Sequence, residues 1–258
     1  MKQLYIIGTG PGDASYVTPR ASAAIAASSE LVAYGLYLDL LGDICDGKTR
    51  HELPLGEEIE RARLALDLAA RGKTTALVSS GDIGIYAMAT LVFELLDRRD
   101  QGLEEGAGWD EVELEVVPGI SAMQAAASRM GAILGHDFCT ISLSDLLTPW
   151  ETIEQRLHAA GRGDFVVSFY NPRSKKRDWQ IAAARDILLQ YRPETTPVIL
   201  GRQLTRDDET LRAVELGKLE ADDVDMFTLV SVGNSESRRI EHRGRDWIYT
   251  PRGYRKKL

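Results

Sequence analysis

Five turns rich in glycine, proline or asparagine each follow a short apolar run, and they hold most of the residues that could bind a ligand. Glycine lets the backbone approach a bound molecule closely, and loops at strand ends are where binding residues usually lie. In the second turn, the Asp82 carboxylate and the backbone amides could meet a zwitterionic or cationic ligand, although Asp82 could equally be a helix cap. A single cleft is the economical interpretation of the five turns, which are residues 8–13, 79–86, 116–122, 168–173 and 232–238.

Other kinds of site find little support. The first turn places its glycines at 8, 10 and 12, with Asp13 where a dinucleotide fingerprint has its third glycine, so a nicotinamide oxidoreductase would need a different first turn. The four histidines are scattered, Cys45 and Cys139 form no CxxC, and no HExxH, P-loop lysine or GxSxG motif occurs. We therefore expect no metal or cluster in this chain and no covalent nucleophile.

Charge and hydropathy limit the partners. With 31 basic and 39 acidic residues, the net charge is −8, which argues against a general nucleic-acid binder. Residues 238–258 hold eight basic residues, so an anionic partner would lie near this tail, unless the tail is only a solubilising terminus. No apolar run is long enough for a signal-peptide core or a membrane span, and we expect a cytoplasmic protein without membrane contact.

The elements that must position these turns alternate between strand and helix. Residues 148–151 predict a capping box, with Thr148 as the cap, Pro149 at the first helical position and Glu151. The alternation predicts two α/β domains, residues 1–132 and 133–258, with ligands bound beyond the carboxyl ends of the strands. Apolar runs predict strands at residues 4–7, 31–34, 74–78, 112–117, 138–142, 165–169, 197–200, 210–214 and 227–232, and periodicity predicts helices from Thr18-Pro19 and at 57–71, 85–98, 121–130, from Thr148 and at 178–191.

Several of these stretches resemble the tetrapyrrole methylases, a class of S-adenosylmethionine enzymes. SLSDLLTPW (142–150) and NPRSKKR (171–177) resemble the branch that methylates carbon 17 of the macrocycle and contracts the ring in cobalamin biosynthesis. The other stretches that carry the resemblance are GTGPGD (8–13), YGLYLDLL (34–41), SSGDIGIYAMA (79–89), VVPGISA (116–122), DMFTLVSVGNS (225–235) and TPRGY (250–254).

The resemblance implies a fold, a methyl donor and a set of contacts. It implies two α/β domains with a non-Rossmann S-adenosylmethionine site in the cleft between them, and a homodimer. Motif by motif, it places the contacts to S-adenosylmethionine at Pro11, Gly81, Asp82, Ile83, Ile85, Tyr86, Ser121, Ala122, Tyr170, Asn171, Arg202, Gly233 and Asn234.

The implied chemistry agrees with the residue inventory. An electron-rich ring carbon attacks the methyl group itself, so the protein chiefly orients the reactants in a dry cleft. Ring contraction also requires a base that takes a proton from a ring hydroxyl. The candidates are Asp145 and Ser144, for which loop and cap hydrogen bonding is an equal alternative, followed by His136, Asp82 and Tyr37.

The implied substrate also gives the basic segments a role. The carboxylates around a tetrapyrrole suit bidentate arginine pairs, so Arg173, Lys175, Lys176, Arg177 and the tail arginines are expected clamps. Three alternatives stay open: methylation at another corrin position, a cobalt-containing form of the same intermediate, and a tetrapyrrole carrier without catalysis. Any redox centre for ring oxidation is expected in another protein.

Overall fold

The chain divides into two compact units. The computed structural model describes residues 2–174, 177–254 and 257. The first unit is Met1–Ser121 and the second is Ala122–Leu258. The second unit therefore begins ahead of the boundary expected between residues 132 and 133. No helix among the described residues has the length and apolar character needed to cross a membrane.

The first unit contains a sheet in which every strand is parallel to its neighbours. Its central strands are buried and read as apolar runs, as is typical of strands covered on both faces. The edge strand Thr49–Glu52 is polar and was not predicted. In the order β3-β2-β4-β1-β5, the strands are β1 (Gln3–Gly8), β2 (Glu30–Ala33), β3 (Thr49–Glu52), β4 (Thr75–Ser79) and β5 (Glu113–Val117).

Helices cover both faces of this sheet. Leu4 and Ile6 join one apolar cluster with the helices of residues 58–70 and 88–100, whereas Ile7 joins a second cluster with the helix of residues 19–27, because successive residues of a strand face opposite sides. The predicted start of the first helix is confirmed, with the Thr18 hydroxyl accepting a hydrogen bond from the Ala21 amide. The helices are α1 (Pro19–Ala27), α2 (Gly35–Asp39), α3 (Glu58–Ala70) and α4 (Met88–Asp100).

The second unit contains a mixed sheet, and its strand directions matter for the site. One strand, β11 (Thr228–Val232), runs antiparallel to its neighbours β8 (Val166–Tyr170) and β9 (Pro197–Arg202). Strand β7 (Phe138–Ser142) is parallel to β8. Strands β7, β8 and β9 therefore end at one edge of the sheet, and β11 ends at the other. In the order β10-β9-β11-β8-β7, the strands are β7 (Phe138–Ser142), β8 (Val166–Tyr170), β9 (Pro197–Arg202), β10 (Thr210–Glu215) and β11 (Thr228–Val232).

The described residues of this unit form three α-helices: α5 (Ala122–Met130), α6 (Trp150–Arg162) and α7 (Gln180–Leu188). Side chains of α6 and α7 pack with those of β8 in one apolar core. The predicted capping box at α6 is wrong. Pro149 keeps an extended backbone and is itself the residue before the helix, and its carbonyl accepts hydrogen bonds from the Thr152 and Ile153 amides.

A small sheet completes the second unit, in the order β12-β13-β6, with β6 (Gly131–Ala132), β12 (Arg238–His242) and β13 (Arg245–Tyr249). Strands β12 and β13 form a hairpin, in which both turn residues have positive φ, 55° for Arg243 and 72° for Gly244. The segment interpreted from sequence as a basic tail is thus largely a hairpin. Arg255 and Lys256 of that tail lie outside the described residues.

Candidate functional site

The first three turns meet at one edge of the first unit, where neighbouring strands β4, β1 and β5 end. The Thr9 amide donates to the Ser79 carbonyl at 3.0 Å. Gly10 and Gly81 exchange two backbone hydrogen bonds, at 3.1 and 2.6 Å. The first and second turns are therefore joined by their backbones.

Two glycines permit this close approach. A Cβ atom on Gly8 would lie 2.6 Å from the Gly81 carbonyl oxygen, and one on Gly119 would lie 2.2 Å from the same oxygen. No side chain can occupy either position unless the backbone moves. The third turn, which contains Gly119, is thus packed directly against the other two.

Asp82 connects the second turn to the third. One carboxylate oxygen accepts the Gly84 amide at 2.8 Å, and the other accepts the Gly119 amide at 3.0 Å. The next residue, Ile83, is fully buried in the core, and Tyr86 is half-exposed with a φ of 52°. Asp82 therefore has a structural role in this turn, and its contact with a ligand stays a prediction.

The structure brings most predicted residues of the first unit onto loops at this edge. Tyr37, a candidate base, lies on α2 beyond the end of β2, with its ring edge-to-face against Tyr34 at 5.4 Å. The predicted contacts to S-adenosylmethionine on these loops are Pro11, Gly81, Asp82, Ile83, Ile85, Tyr86 and Ser121.

In the second unit, a buried arginine organises the edge where β7 and β8 end. Arg177 donates to the Leu143 carbonyl at 3.0 Å and to the Asn171 carbonyl at 2.7 Å. Its Nε also lies 3.6 Å from a carboxylate oxygen of Asp145. Burial lowers the pKa of the Arg177 guanidinium from its ordinary value. This one side chain connects the loops that follow the two strands.

Asp145 and Ser144 belong to this arrangement. The Gln180 side-chain amide donates to Asp145 at 3.1 Å, and about a third of the Asp145 side chain, 33%, remains exposed. The Ser142 hydroxyl accepts the Ser144 amide at 3.3 Å and the Asn171 side-chain amide at 3.1 Å. Asp145 is thus an oriented carboxylate with one open side, which can accept a proton from a bound molecule.

Tyr170 and Arg202 lie at the same edge. The Tyr170 hydroxyl accepts the Met123 amide at 3.2 Å, at the start of α5 and next to Ala122. Arg202 donates to Asp225 at 2.7 Å. Burial alone would raise the pKa of Asp225, but hydrogen bonds from Thr228 and Arg202 lower it below its ordinary value.

Three predicted residues lie at the opposite edge of this sheet. His136 precedes β7, a strand that spans roughly 17 Å, and its Nδ1 accepts the Asp137 amide at 2.7 Å. Gly233 and Asn234 follow β11, which runs the other way. A single cleft shared by all five turns is therefore wrong for the fifth turn, because strand direction places it away from Tyr170.

The fifth turn has a structural explanation of its own. The buried Asn234 side chain accepts the Glu236 amide at 3.0 Å and the Ser237 hydroxyl at 3.1 Å. The Gly233 carbonyl accepts the buried Arg192 side chain at 2.5 Å. Asparagine and glycine are thus used to close a turn inside the protein.

The predicted carboxylate clamps are also revised. Arg173 donates to the Ala221 carbonyl at 2.8 Å and to Asp222 at 2.9 Å. Arg177 as a clamp is wrong, because it is buried and bound to backbone carbonyls. Lys175 and Lys176 lie outside the described residues. The role of Arg177 and its partner Gln180 was missed, since no local pattern separates a buried arginine from an exposed one.

Among the described residues, no group of three or more histidine, cysteine or acidic side chains could hold a metal ion. The sequence model of the tetrapyrrole (corrin/porphyrin) methylases matches residues 3–220. The chain belongs to this family. The resemblance predicted from the motifs is thereby confirmed.

Individual tetrapyrrole methylases match nearly the whole chain. The precorrin-3B C(17)-methyltransferase of Sinorhizobium sp is 44% identical over 252 residues, 97% of this chain and 96% of that protein. A probable cobalt-factor III C(17)-methyltransferase of Salmonella typhimurium is 41% identical and covers 97% and 99% of the two chains. The crystal structure of the methyltransferase CobJ superposes with a TM-score of 0.88 at 39% identity, over 96% of this chain and 99% of that one.

Proposed function

We propose that this tetrapyrrole methylase transfers a methyl group from S-adenosylmethionine to C17 of precorrin-3B, with contraction of the ring, in cobalamin biosynthesis. The similarity to the Sinorhizobium precorrin-3B C(17)-methyltransferase, end to end over both chains, carries the proposal. The resemblance further implies a homodimer in the cytoplasm, which we include in the proposal.

We assign S-adenosylmethionine to the loops in which backbone groups predominate. When bound, this donor supplies an electrophilic methyl group. In the first unit, the closely packed turns present backbone rather than long side chains, so a zwitterion can bind there without side chains that must be ordered. The proposed contacts are Pro11, Gly81, Asp82, Ile83, Ile85, Tyr86 and Ser121, with Ala122, Tyr170, Asn171 and Arg202 from the second unit; Gly233 and Asn234 are left out because they close a turn elsewhere.

We assign the proton step to Asp145. Its carboxylate is held by Gln180 and faces solvent on one side, so it can accept the proton of a ring hydroxyl directly. Ser144 lies beside it and can orient that hydroxyl. His136 is not included, because it lies at the other end of β7 and bonds to its own neighbour.

A cobalt-containing substrate is the second candidate, and the similarity to the Salmonella cobalt-factor III C(17)-methyltransferase favours it. Both candidates use the same donor and the same ring carbon. They differ in whether the macrocycle carries the metal when it binds.

One incubation separates the possibilities. The protein is mixed with S-adenosylmethionine and either the metal-free or the cobalt-containing trimethylated precursor. The proposal expects a mass gain of one methyl group and the absorbance change of a contracted ring with one of them. Pigment binding without consumption of S-adenosylmethionine would instead indicate a carrier, and NMR of the product locates the new methyl group.

A further inference from the structure

Strand β12 is unusually open for a strand. All five of its residues, Arg238 to His242, are exposed, and Ile240 retains 47% of its accessible surface. Within the described part of the chain, its only strand neighbour is β13. One backbone edge of β12 is therefore available for pairing, as in any edge strand.

The hairpin register shows which backbone groups face that edge. The turn closes on the His242–Arg245 pair, and the pair that flanks a two-residue turn exchanges backbone hydrogen bonds. Bonded and non-bonded pairs alternate along an antiparallel ladder, so Arg238, Ile240 and His242 bond to β13. The N–H and C=O groups of Arg239 and Glu241 consequently point to the open edge.

Arg239 and Glu241, whose backbone groups point to the open edge, differ in the ion pairs that they form within the hairpin. Glu241 lies directly across from Asp246, and like charges in that position are destabilising. Arg239 forms its ion pair with Asp246. Among the residues that the structure describes, Glu241 has no ion-pair partner, so its carboxylate is open to a cation from outside the hairpin.

We propose that β12 pairs antiparallel with β12 of a second copy of this chain, about a two-fold axis at Ile240. In that register the complementary residues are Arg239 and Glu241, and Arg238 lies opposite His242. Arg239 lies opposite the partner's Glu241, and each such pair exchanges the outward backbone hydrogen bonds. Ile240 meets the partner's Ile240, and the two small sheets become one.

Simple protection of an exposed edge explains the strand less well. Protected edges carry charged side chains, proline, or a bulge that prevents pairing. Strand β12 has no proline or glycine, keeps a continuous register with β13, and carries opposite charges on the two sides of Ile240, which suit pairing with a second copy. Pairing through β12 thus gives the proposed homodimer an interface, a two-fold axis and defined residue pairs. It does not depend on which reaction the protein catalyses.

Charge reversal tests the register. Light scattering measures the mass of the full chain in solution at a series of dilutions. One chain has a mass of 28.5 kDa, and a dimer has twice that mass. In the proposed dimer, Glu241→Arg puts a second positive charge opposite Arg239 in each of the two symmetric pairs. The dimer dissociation constant should therefore rise roughly tenfold or more. The same change places a cation beside Asp246 within the hairpin, so a weaker dimer cannot be attributed to loss of the hairpin.

The second reversal restores complementarity. Arg239→Glu alone should also weaken the dimer, and the double variant Arg239→Glu/Glu241→Arg should return its dissociation constant to near the starting value. Glu236→Arg makes the same charge change just before the strand and should leave the mass unchanged. A monomeric unaltered chain, or a dimer insensitive to Glu241→Arg, overturns the proposal.

A cross-link tests the axis. The proposed Ile240 pair is a non-bonded pair with Cα atoms about 4.5 Å apart, within the range of a disulfide. Ile240→Cys treated with oxidised glutathione should run as a covalent dimer on a non-reducing gel, whereas the exposed Leu103→Cys should not. No cross-link at residue 240 overturns the inference. A cross-linked dimer that transfers no methyl group would instead count against the proposed function.

Discussion

The two units build their candidate loops in different ways. At the edge of the first unit, Gly8, Gly81 and Gly119 bring three turns into backbone contact, and Asp82 accepts two backbone amides. At the edge of the second unit, a long side chain connects the loops, with Arg177 donating to a carbonyl of each. The loops at the first edge are thus held together mainly by backbone contact at glycines, and those at the second edge by a long side chain.

The difference follows from residue type rather than from strand order. In the first unit, the parallel neighbours β4, β1 and β5 end side by side, and glycines let the turns that follow them touch. In the second unit, β7 and β8 are also parallel neighbours, but the loops that follow them, residues 143–149 and 171–179, contain no glycine. A long side chain, that of Arg177, connects them instead.

The largest expected effect is that of Gly119→Ala. Its methyl group would lie 2.2 Å from the Gly81 carbonyl oxygen and 2.6 Å from the Gly8 carbonyl carbon, and backbone atoms cannot rotate away. We expect the free energy of unfolding to fall by about 3 kcal/mol. Urea unfolding monitored by circular dichroism measures it.

The matched change in the second unit is Gly201→Ala. There the nearest atoms belong to the Leu204 side chain, at 2.8 Å, and a leucine can change rotamer. We expect a loss of about 1 kcal/mol. Equal losses for the two variants would contradict the distinction between the two edges.

Arg177→Met removes the side chain that connects the loops after β7 and β8. It leaves the Leu143 and Asn171 carbonyls without their donor, and an unsatisfied buried group costs about 1–3 kcal/mol. We expect a loss of about 2 kcal/mol in unfolding free energy and slower methylation, because Asp145 loses its fixed position. Arg177→Lys keeps the charge but cannot span both carbonyls as a fork, so it should recover only part of either property.

The sequence motifs predicted the first edge better than the second. Strand ends can be located from apolar runs such as residues 4–7 and 74–78, and parallel order then places their turns together without further information. The direction of β11 depends on a crossover that no local pattern records, so Gly233 and Asn234 were grouped with the wrong edge. The start of α6 was also predicted incorrectly from local sequence. Thr148 was expected to cap the helix, but the extended Pro149 is the residue that precedes it.

Side-chain environment was predictable only where residue type dictates it. Gly8 and Gly119 were predicted in turns where the backbone approaches a ligand, and the structure shows them where backbone approaches backbone. Arg177 is one of four basic residues in a run of five, a pattern typical of an exposed loop, and its burial depends on carbonyls that the fold brings from residues 143 and 171. The hairpin was missed because its charged residues obscure the alternation of a strand.

A smaller effect is expected from Asp82→Asn, which tests whether the first edge binds the methyl donor. An amide has one acceptor oxygen, so one of the Gly84 and Gly119 amides loses its partner and the turn loosens. We expect S-adenosylmethionine to bind about tenfold more weakly, or about 1.4 kcal/mol, by titration calorimetry. Asp137→Asn, on an exposed residue of the second unit, is the control, and unchanged affinity of Asp82→Asn would reject the assignment of this loop.

The smallest effect is the acid sensitivity of Asp225 at the second edge. Burial opposes ionisation of Asp225, but hydrogen bonds from Thr228 and Arg202 place its pKa below the ordinary value. A lowered pKa in the folded state means that the contribution to stability is present above the unfolded pKa and is lost as the pH falls through the folded one. Because the side chain is 40% exposed, we expect less than about 1 kcal/mol.

Hydrogen exchange resolves this loss by region. On acidification, corrected for intrinsic rates, residues 225–232 should lose protection before residues 79–86, because the Phe227 amide donates to Asp225 whereas Gly10 and Gly81 bond to each other through their backbones. Asp225→Asn should remove the pH dependence at residues 225–232 and leave the turn at 79–86 unaffected. Parallel loss of protection at both edges would mean that ion pairs and backbone contacts stabilise the two units alike.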